Sequence, residues 1–212
     1  MKKTLCAVLA LLTTACGANN ANVELTNKPE GKVLVVYFSE SPNKNTQTVA
    51  SWIHEALGGD IHGIEMVNPY SGGYMAIVNE TRGTVKNNVL PEITFFEKNI
   101  SDYDVIFIGS PIWHHTYAPP VGTFLAAHNF EGKTLVPFCT HGGGGAGDFY
   151  DDIKANAKGA NVVKNVFVGK GSNRIERWIG RGTKNKISEN DIIVWLNEVF
   201  NADDTISIMN ID

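Results

Sequence analysis

One stretch, residues 32–57, constrains the fold more than any other part of the chain. Its first part, 33–38, consists of apolar β-branched, leucine and aromatic residues without interruption. Such a run predicts a strand that is buried on both faces, which is typical of a parallel sheet. From 49 to 57 the apolar residues recur at helical spacing, and Gly58 and Gly59 end that helix. The stretch therefore predicts the first strand, loop and helix of an α/β fold.

The loop between this strand and helix is rich in hydroxyl and amide side chains. It precedes a helix N-terminus, where unpaired N–H groups and the helix dipole favour an anion. It contains neither of the glycine-rich motifs that bind triphosphates or dinucleotides, so we predict a single monoester phosphate as its ligand. The alternative is that Ser41 or Asn45 only caps the helix. The polar residues of the loop are Ser39, Ser41, Asn43, Asn45, Thr46 and Thr48.

The rest of the chain contains four more apolar runs of the length of a strand. They cover residues 61–67, 105–109, 134–139 and 162–168. Segments whose apolar residues recur at helical spacing separate these runs. Ser188 and Asp191 predict a capping box at the start of the last helix. Five strands that alternate with helices predict an open, doubly wound, five-stranded parallel sheet of the α/β class.

Three loops of this predicted sheet directly follow apolar strands. Ligands of open parallel sheets bind beyond the carboxyl ends of the strands, where the strand order reverses. We therefore expect the three loops to converge on one ligand. The loops are 39–46, 110–118 and 140–147.

The first 15 residues have the pattern of an export signal. Lys2 and Lys3 precede an apolar run that is too short to span a membrane, and small residues follow it. The sequence that ends at Cys16 resembles a bacterial lipoprotein signal, in which this cysteine becomes the lipidated N-terminus. The alternative is cleavage by an ordinary signal peptidase near Ala18. Either reading predicts the bacterial cell envelope, on its periplasmic side.

Composition and charge narrow the class of protein. Hydrophobic residues make up 43% and charged residues 19%, which indicates one globular domain. We place it at 32–200, between a flexible tether at 16–31 and a tail at 201–212. The net charge of −4 argues against a nucleic-acid partner. Cys139 is the only cysteine of the predicted domain, so we expect a buried thiol and no internal disulfide.

Three motifs occur in order, each directly after a predicted strand. Residues 37–46 read Tyr-Phe-Ser-Glu-Ser and then Asn-Thr, residues 109–114 read Gly-Ser-Pro-Ile-Trp-His, and residues 137–143 read Pro-Phe-Cys-Thr-His-Gly-Gly. Together they resemble the flavodoxin-like family, over roughly residues 32–168. The resemblance implies a sheet in the order 2-1-3-4-5.

The resemblance also implies FMN as the cofactor. The first loop then holds its phosphate, and the second and third loops flank its isoalloxazine ring from two sides. The implied phosphate residues are Ser39, Ser41, Asn45 and Thr46. The implied ring residues are Pro111, Ile112, Trp113 and His114 on one side, and Thr140, His141, Gly142 and Gly143 on the other.

Two classes of function are compatible with such a site. The first is an electron carrier that docks other redox proteins, and the second is an FMN-dependent NAD(P)H or quinone oxidoreductase. FMN itself supplies the chemistry in both, so the sequence assigns no catalytic acid or base. No second nucleotide motif is visible, which favours the carrier. An FMN-binding lipoprotein without turnover is a third, less favoured hypothesis.

Three features of the sequence depart from the family pattern. Residues 42–44 replace a single glycine, and we interpret Lys44 as a solvated lysine rather than a phosphate contact. His114 and His115 replace the second aromatic residue, and we predict no metal there because neighbours in an extended loop point in opposite directions. The basic segment 170–186 is either a lid or docking patch, or a solvated loop.

Overall fold

The computed structural model describes residues 23–72, 74–87, 89–171 and 187–201. The predicted export signal, Cys16, most of the basic segment 170–186 and the tail beyond 201 lie outside these residues.

The described residues form one sheet in which seven strands take part. The main path has the order β2-β1-β3-β5-β6, all parallel, and β7 also pairs with β5. This arrangement confirms the open parallel sheet, with β6 and β7 sharing the fifth position. The strands are β1 (Val33–Tyr37), β2 (Asp60–Gly63), β3 (Val105–Trp113), β4 (Thr116–Tyr117), β5 (Thr134–His141), β6 (Asn161–Val162) and β7 (Phe167–Lys170).

Helices cover both faces of the sheet. Because strand side chains alternate between faces, Val35 and Phe107 pack towards α1 and α5, while Leu34 and Ile106 pack towards α3 and α4. All four side chains are fully buried. None of the described helices combines the length and apolar character that crossing a membrane requires. The helices are α1 (Asn45–Leu57), α2 (Tyr74–Lys86), α3 (Pro119–Ala127), α4 (Phe149–Asn156) and α5 (Glu189–Val199).

The start of α5 has the predicted capping box. The Ser188 hydroxyl accepts a hydrogen bond from the Asp191 N–H at 3.3 Å, and the Asp191 carboxylate accepts one from the Ser188 N–H at 2.8 Å. This reciprocal pair satisfies two amides that the helix itself leaves unpaired.

Two predicted strands differ from the observed ones. The run at 61–67 is a strand only as far as Gly63, and Met66 then forms a single antiparallel bridge with Ile93. The run at 162–168 is broken between β6 and β7. In the break, the Asn165 carbonyl accepts a hydrogen bond from the Trp195 indole N–H at 2.9 Å, so a contact with α5 replaces regular strand pairing.

The segment before the first strand lies against the domain. Asn197 on α5 accepts a hydrogen bond from the Thr26 N–H at 2.8 Å and donates one to the Glu24 carbonyl at 2.9 Å. Leu25 packs beside the core that α1 and α5 cover. Residues 24–27, within the predicted tether, therefore contact α5 in this structure.

Candidate functional site

The three loops meet at the carboxyl edge of the sheet, because they follow the neighbouring strands β1, β3 and β5. The register places Tyr37 beside Gly109, and Gly109 beside Phe138. The first and third loops are also joined directly, since the hydroxyl oxygens of Thr46 and Thr140 lie 2.8 Å apart in a buried contact. The predicted convergence of the three loops is thus present in the structure.

The first loop contains a buried polar atom without a partner. The Ser39 hydroxyl oxygen is shielded from solvent and has no hydrogen-bond partner among the described residues. The Lys44 ammonium donates to the Ser39 carbonyl at 3.1 Å, and no acidic residue occupies the first turn of α1. A helix N-terminus, an ammonium group and an unpaired hydroxyl therefore lie together, which is a combination that suits an anion.

The interpretation of this loop as a helix cap accounts for only part of its structure. The cap position of α1 is Lys44, whose side chain makes no capping bond, while the Ser41 hydroxyl accepts a hydrogen bond from the Asn45 N–H at 3.4 Å. Lys44 has φ 49°, in the left-handed region that glycine adopts most readily. This left-handed conformation explains why the pattern that the first motif resembles has glycine before Asn-Thr. In this chain Lys44 adopts the conformation instead.

The second loop is a tight β-hairpin. Ile112 and Trp113 at the end of β3 pair antiparallel with β4, and only His114 and His115 connect the strands. Both histidines have positive φ, 51° and 70°, as the two central residues of a type I′ turn must. The predicted loop 110–118 is therefore mostly strand. The sequence did not predict this hairpin, because a type I′ turn commonly contains asparagine and glycine rather than two histidines.

The hairpin tip connects two other elements of the site. His114 Nε2 lies 3.0 Å from the hydroxyl of Thr81, a buried residue of α2. The pKa of His114 is lowered by burial and by the charge of Arg82. The His115 carbonyl accepts a hydrogen bond from the Asp148 N–H at 2.7 Å, at the start of α4. The described residues contain no group of three or more His, Cys, Asp or Glu that could hold a metal ion.

Trp113 forms a wall of the site together with two aromatic rings. Its ring is 5.7 Å from that of Phe38 at an interplanar angle of 89°, and 5.5 Å from that of Tyr70 at 63°. Both are edge-to-face contacts, which are favourable for aromatic pairs and fix the orientation of the indole. Tyr70 lies after β2, and nothing in the sequence distinguishes it from other loop tyrosines.

The third loop is organised by a histidine side chain. His141 Nδ1 accepts hydrogen bonds from the N–H groups of Gly143 and Gly145, each at 3.0 Å. Burial, and then the charge of Lys170, lowers the pKa of His141, which favours the neutral form that this contact needs. A side chain at Gly142 or Gly143 would meet no atom within 4 Å, so space is open beside the loop.

Two further glycines bring chain segments close to the site. At Gly147, with φ 58°, a Cβ would lie 2.1 Å from the His115 carbonyl oxygen, so the third loop packs tightly on the hairpin. At Gly171 a Cβ would lie 2.2 Å from Asn45 Nδ2, so the chain leaving β7 passes directly over the first loop. Neither of these two close contacts was predicted from the sequence.

Cys139 lies behind the site rather than in it. The side chain is fully buried in the core, and burial raises the pKa of its thiol to about 12. The thiol is therefore neutral at ordinary pH, as expected for a core residue rather than for a reactive one.

Comparison with known proteins identifies the family. A family model for flavodoxins matches residues 32–181. The chain belongs to the flavodoxin family. The matched region includes all three site loops of this flavodoxin. No curated protein sequence matches the chain.

Solved structures resemble this flavodoxin over most of its length. A Bacteroides eggerthii protein named as a flavoprotein is 29% identical with a TM-score of 0.61, covering 80% of this chain and 98% of that one. A similarly named Bacteroides uniformis protein is 28% identical with a TM-score of 0.58, covering 71% and 98%. A Lactobacillus acidophilus flavoprotein, solved with FMN, is 20% identical with a TM-score of 0.55, covering 73% and 99%. This last likeness shows the fold.

Proposed function

We propose that this flavodoxin binds FMN and carries electrons between redox partners in the bacterial cell envelope. The observation that carries the proposal is the buried Ser39 hydroxyl, which has no partner among the described residues and lies in the loop that leads into α1. Membership of the flavodoxin family supports it, as does the FMN complex of the Lactobacillus acidophilus flavoprotein.

The first loop fits the phosphate of FMN. A monoester phosphate carries close to two negative charges and accepts several hydrogen bonds. The Ser39 hydroxyl and the first-turn amides of α1 supply donors. Lys44, which the sequence suggested was only solvated, is exposed but donates to the Ser39 carbonyl, so its positive charge lies beside this loop. The buried contact between Thr46 and Thr140 holds this loop against the third one.

The second and third loops fit the isoalloxazine ring. Trp113 offers a flat apolar surface whose orientation is fixed by Phe38 and Tyr70. On the other side, His141 holds the glycine loop in one conformation, with open space above Gly142 and Gly143. When bound, FMN supplies transfer of one or two electrons. The protein's own contribution is to hold the ring between the second and third loops.

Exposure of the ring-binding loops supports a carrier over an oxidoreductase. His115 and the glycines at 142–144 are exposed, so a protein partner can approach the site directly. A carrier needs such an accessible edge because electrons pass between proteins without a bound small substrate. Steady-state turnover of a nicotinamide cofactor with a quinone, at roughly 1–1000 per second, would contradict the carrier and favour the oxidoreductase.

The proposal is tested by comparing FMN with riboflavin, which lacks the phosphate. Wild-type protein should bind FMN one-to-one and more tightly than riboflavin. Ser39→Ala should weaken FMN binding about 10- to 100-fold, because a hydrogen bond to a charged group contributes about 1.5–3 kcal/mol. Riboflavin binding should be unchanged in this variant. Titration of flavin fluorescence measures both affinities.

Ser51→Ala is the matched control, since Ser51 lies further along the same helix α1. It should leave both affinities as they are in the wild type. Equal affinity of the wild type for FMN and riboflavin would contradict a phosphate site in the first loop.

A further inference from the structure

The hydroxyl of Tyr70 is a second buried polar group without a partner at this edge of the sheet. Its oxygen is shielded from solvent, and no described residue forms a hydrogen bond with it. Burial, together with the charges of Glu80 and Glu40, raises the pKa of Tyr70 to about 12. The phenol therefore keeps its proton at ordinary pH and remains a hydrogen-bond donor.

An unpaired buried hydroxyl is destabilising, by about 1–3 kcal/mol. Phenylalanine would fill the same space against Trp113 without this loss. Other tyrosines of the chain have partners: the Tyr103 hydroxyl donates to the Asp60 carboxylate at 2.7 Å, and the Tyr150 hydroxyl lies 3.5 Å from the Val162 carbonyl. The unpaired state of Tyr70 thus calls for a partner outside the chain.

The position of Tyr70 indicates where that partner lies. Its ring packs edge-to-face on Trp113, and its hydroxyl is influenced by Glu40 of the first loop. The loops after β1 and β2 are neighbours because these strands pair. The other unpaired hydroxyl on these loops is Ser39, which is at the phosphate end of the proposed site. Tyr70 therefore lies against Trp113 and close enough to the first loop to be affected by the charge of Glu40.

We propose that the Tyr70 hydroxyl donates a hydrogen bond to the bound flavin, at its isoalloxazine or ribityl part rather than at its phosphate. This inference rests on the proposed binding of FMN. It assigns a flavin-binding role to a residue after the second strand, outside the three loops that the motifs identify. The Trp113 contact favours the ring and ribityl part, since the phosphate belongs with Ser39 and α1.

The test is Tyr70→Phe, which removes only the hydroxyl. The flavin-free variant should be as stable as the wild type or more stable, because an unpaired buried group is gone. Its affinity for FMN should fall about tenfold, the factor that one hydrogen bond of about 1.4 kcal/mol provides. Riboflavin should lose affinity by the same factor, because it contains the ring and the ribityl chain. Urea unfolding and fluorescence titration provide the two measurements.

Tyr103→Phe is the control, at the opposite edge of the sheet. It removes a hydroxyl that is hydrogen-bonded inside the protein, so it should lower the stability and leave flavin affinity unchanged. The inference is overturned by unchanged FMN affinity in Tyr70→Phe, by a loss that spares riboflavin, or by a drop in flavin-free stability like that of Tyr103→Phe. A wild type that binds no flavin would overturn the proposed function, and with it this inference.

Discussion

At the scale of single residues, His141 can organise the third loop only while its imidazole is neutral. His141 accepts two amide hydrogen bonds through Nδ1, and a protonated imidazole cannot accept either. Because the folded state lowers the pKa of His141, the unfolded chain binds the proton more readily. Its contribution to stability is therefore complete above the ordinary pKa of 6.5 and is lost as the pH falls from there through the lowered value.

This linkage predicts a difference between the wild type and His141→Asn. The asparagine oxygen can accept the same amide bonds but does not titrate. Between about pH 7.5 and about pH 5, the wild type should lose more of its free energy of unfolding than the variant does, because only the wild type has a lowered histidine pKa at this position. His62, His114 and His128 also have lowered pKa values, so only the difference between the two proteins isolates His141. Urea unfolding at both pH values measures it, and parallel pH profiles would contradict the prediction.

Among the elements, the β3–β4 hairpin has the most unusual backbone. Two consecutive histidines with positive φ are strained, because a Cβ in the left-handed region destabilises by roughly 1–2 kcal/mol. His115 accepts a hydrogen bond from Asp148 through its backbone carbonyl, which any residue would provide. His114 instead contacts Thr81 through its imidazole. The two positions therefore share the strain but differ in what the side chain contributes.

Glycine substitutions should separate these two contributions. His115→Gly should raise the free energy of unfolding by about 0.5–1 kcal/mol, since relief of strain exceeds the entropy that glycine adds to the unfolded chain. His114→Gly relieves similar strain but loses the contact with Thr81, so it should be less stable than His115→Gly by about 1 kcal/mol. Chemical unfolding of both variants tests this. Equal stabilities would show that the Thr81 contact contributes nothing.

The elements also show what a sequence can predict. The buried strands β1, β3 and β5 were predictable because their apolar runs are local, and so was the capping box at Ser188. The break between β6 and β7 was not, because it depends on a hydrogen bond between Asn165 and Trp195, 30 residues apart. Tyr70 was not predicted as a site residue for the same reason, since its place in the site depends on its contact with Trp113.

At the scale of the whole molecule, the open parallel sheet and the meeting of three loops at one edge followed from the alternation of strands and helices. The strand order followed only from the family resemblance. The contact of residues 24–27 with α5 did not follow, because nothing in this short segment indicates the Asn197 side chain that binds it. Membrane attachment through Cys16 remains a proposal.

The anchor is tested by fractionating cells that export the protein. Wild-type protein should sediment with membranes and incorporate labelled fatty acid, whereas Cys16→Ser should be soluble in the periplasm and unlabelled. Cys139→Ser is a matched control, because that thiol is buried in the domain and should not affect the labelling. Soluble wild-type protein that begins near Asn19 would instead indicate cleavage by an ordinary signal peptidase.

The interrupted last strand has a consequence for contacts between copies of the molecule. A long row of free N–H and C=O groups at a sheet edge recruits strands from other molecules and leads to fibres. Here β6 has two residues and β7 has four, and the Asn165 carbonyl between them is already bonded to Trp195. Along this edge of the described sheet, no continuous strand is longer than four residues. Polymerisation through edge pairing is thereby disfavoured, even where many copies crowd one surface.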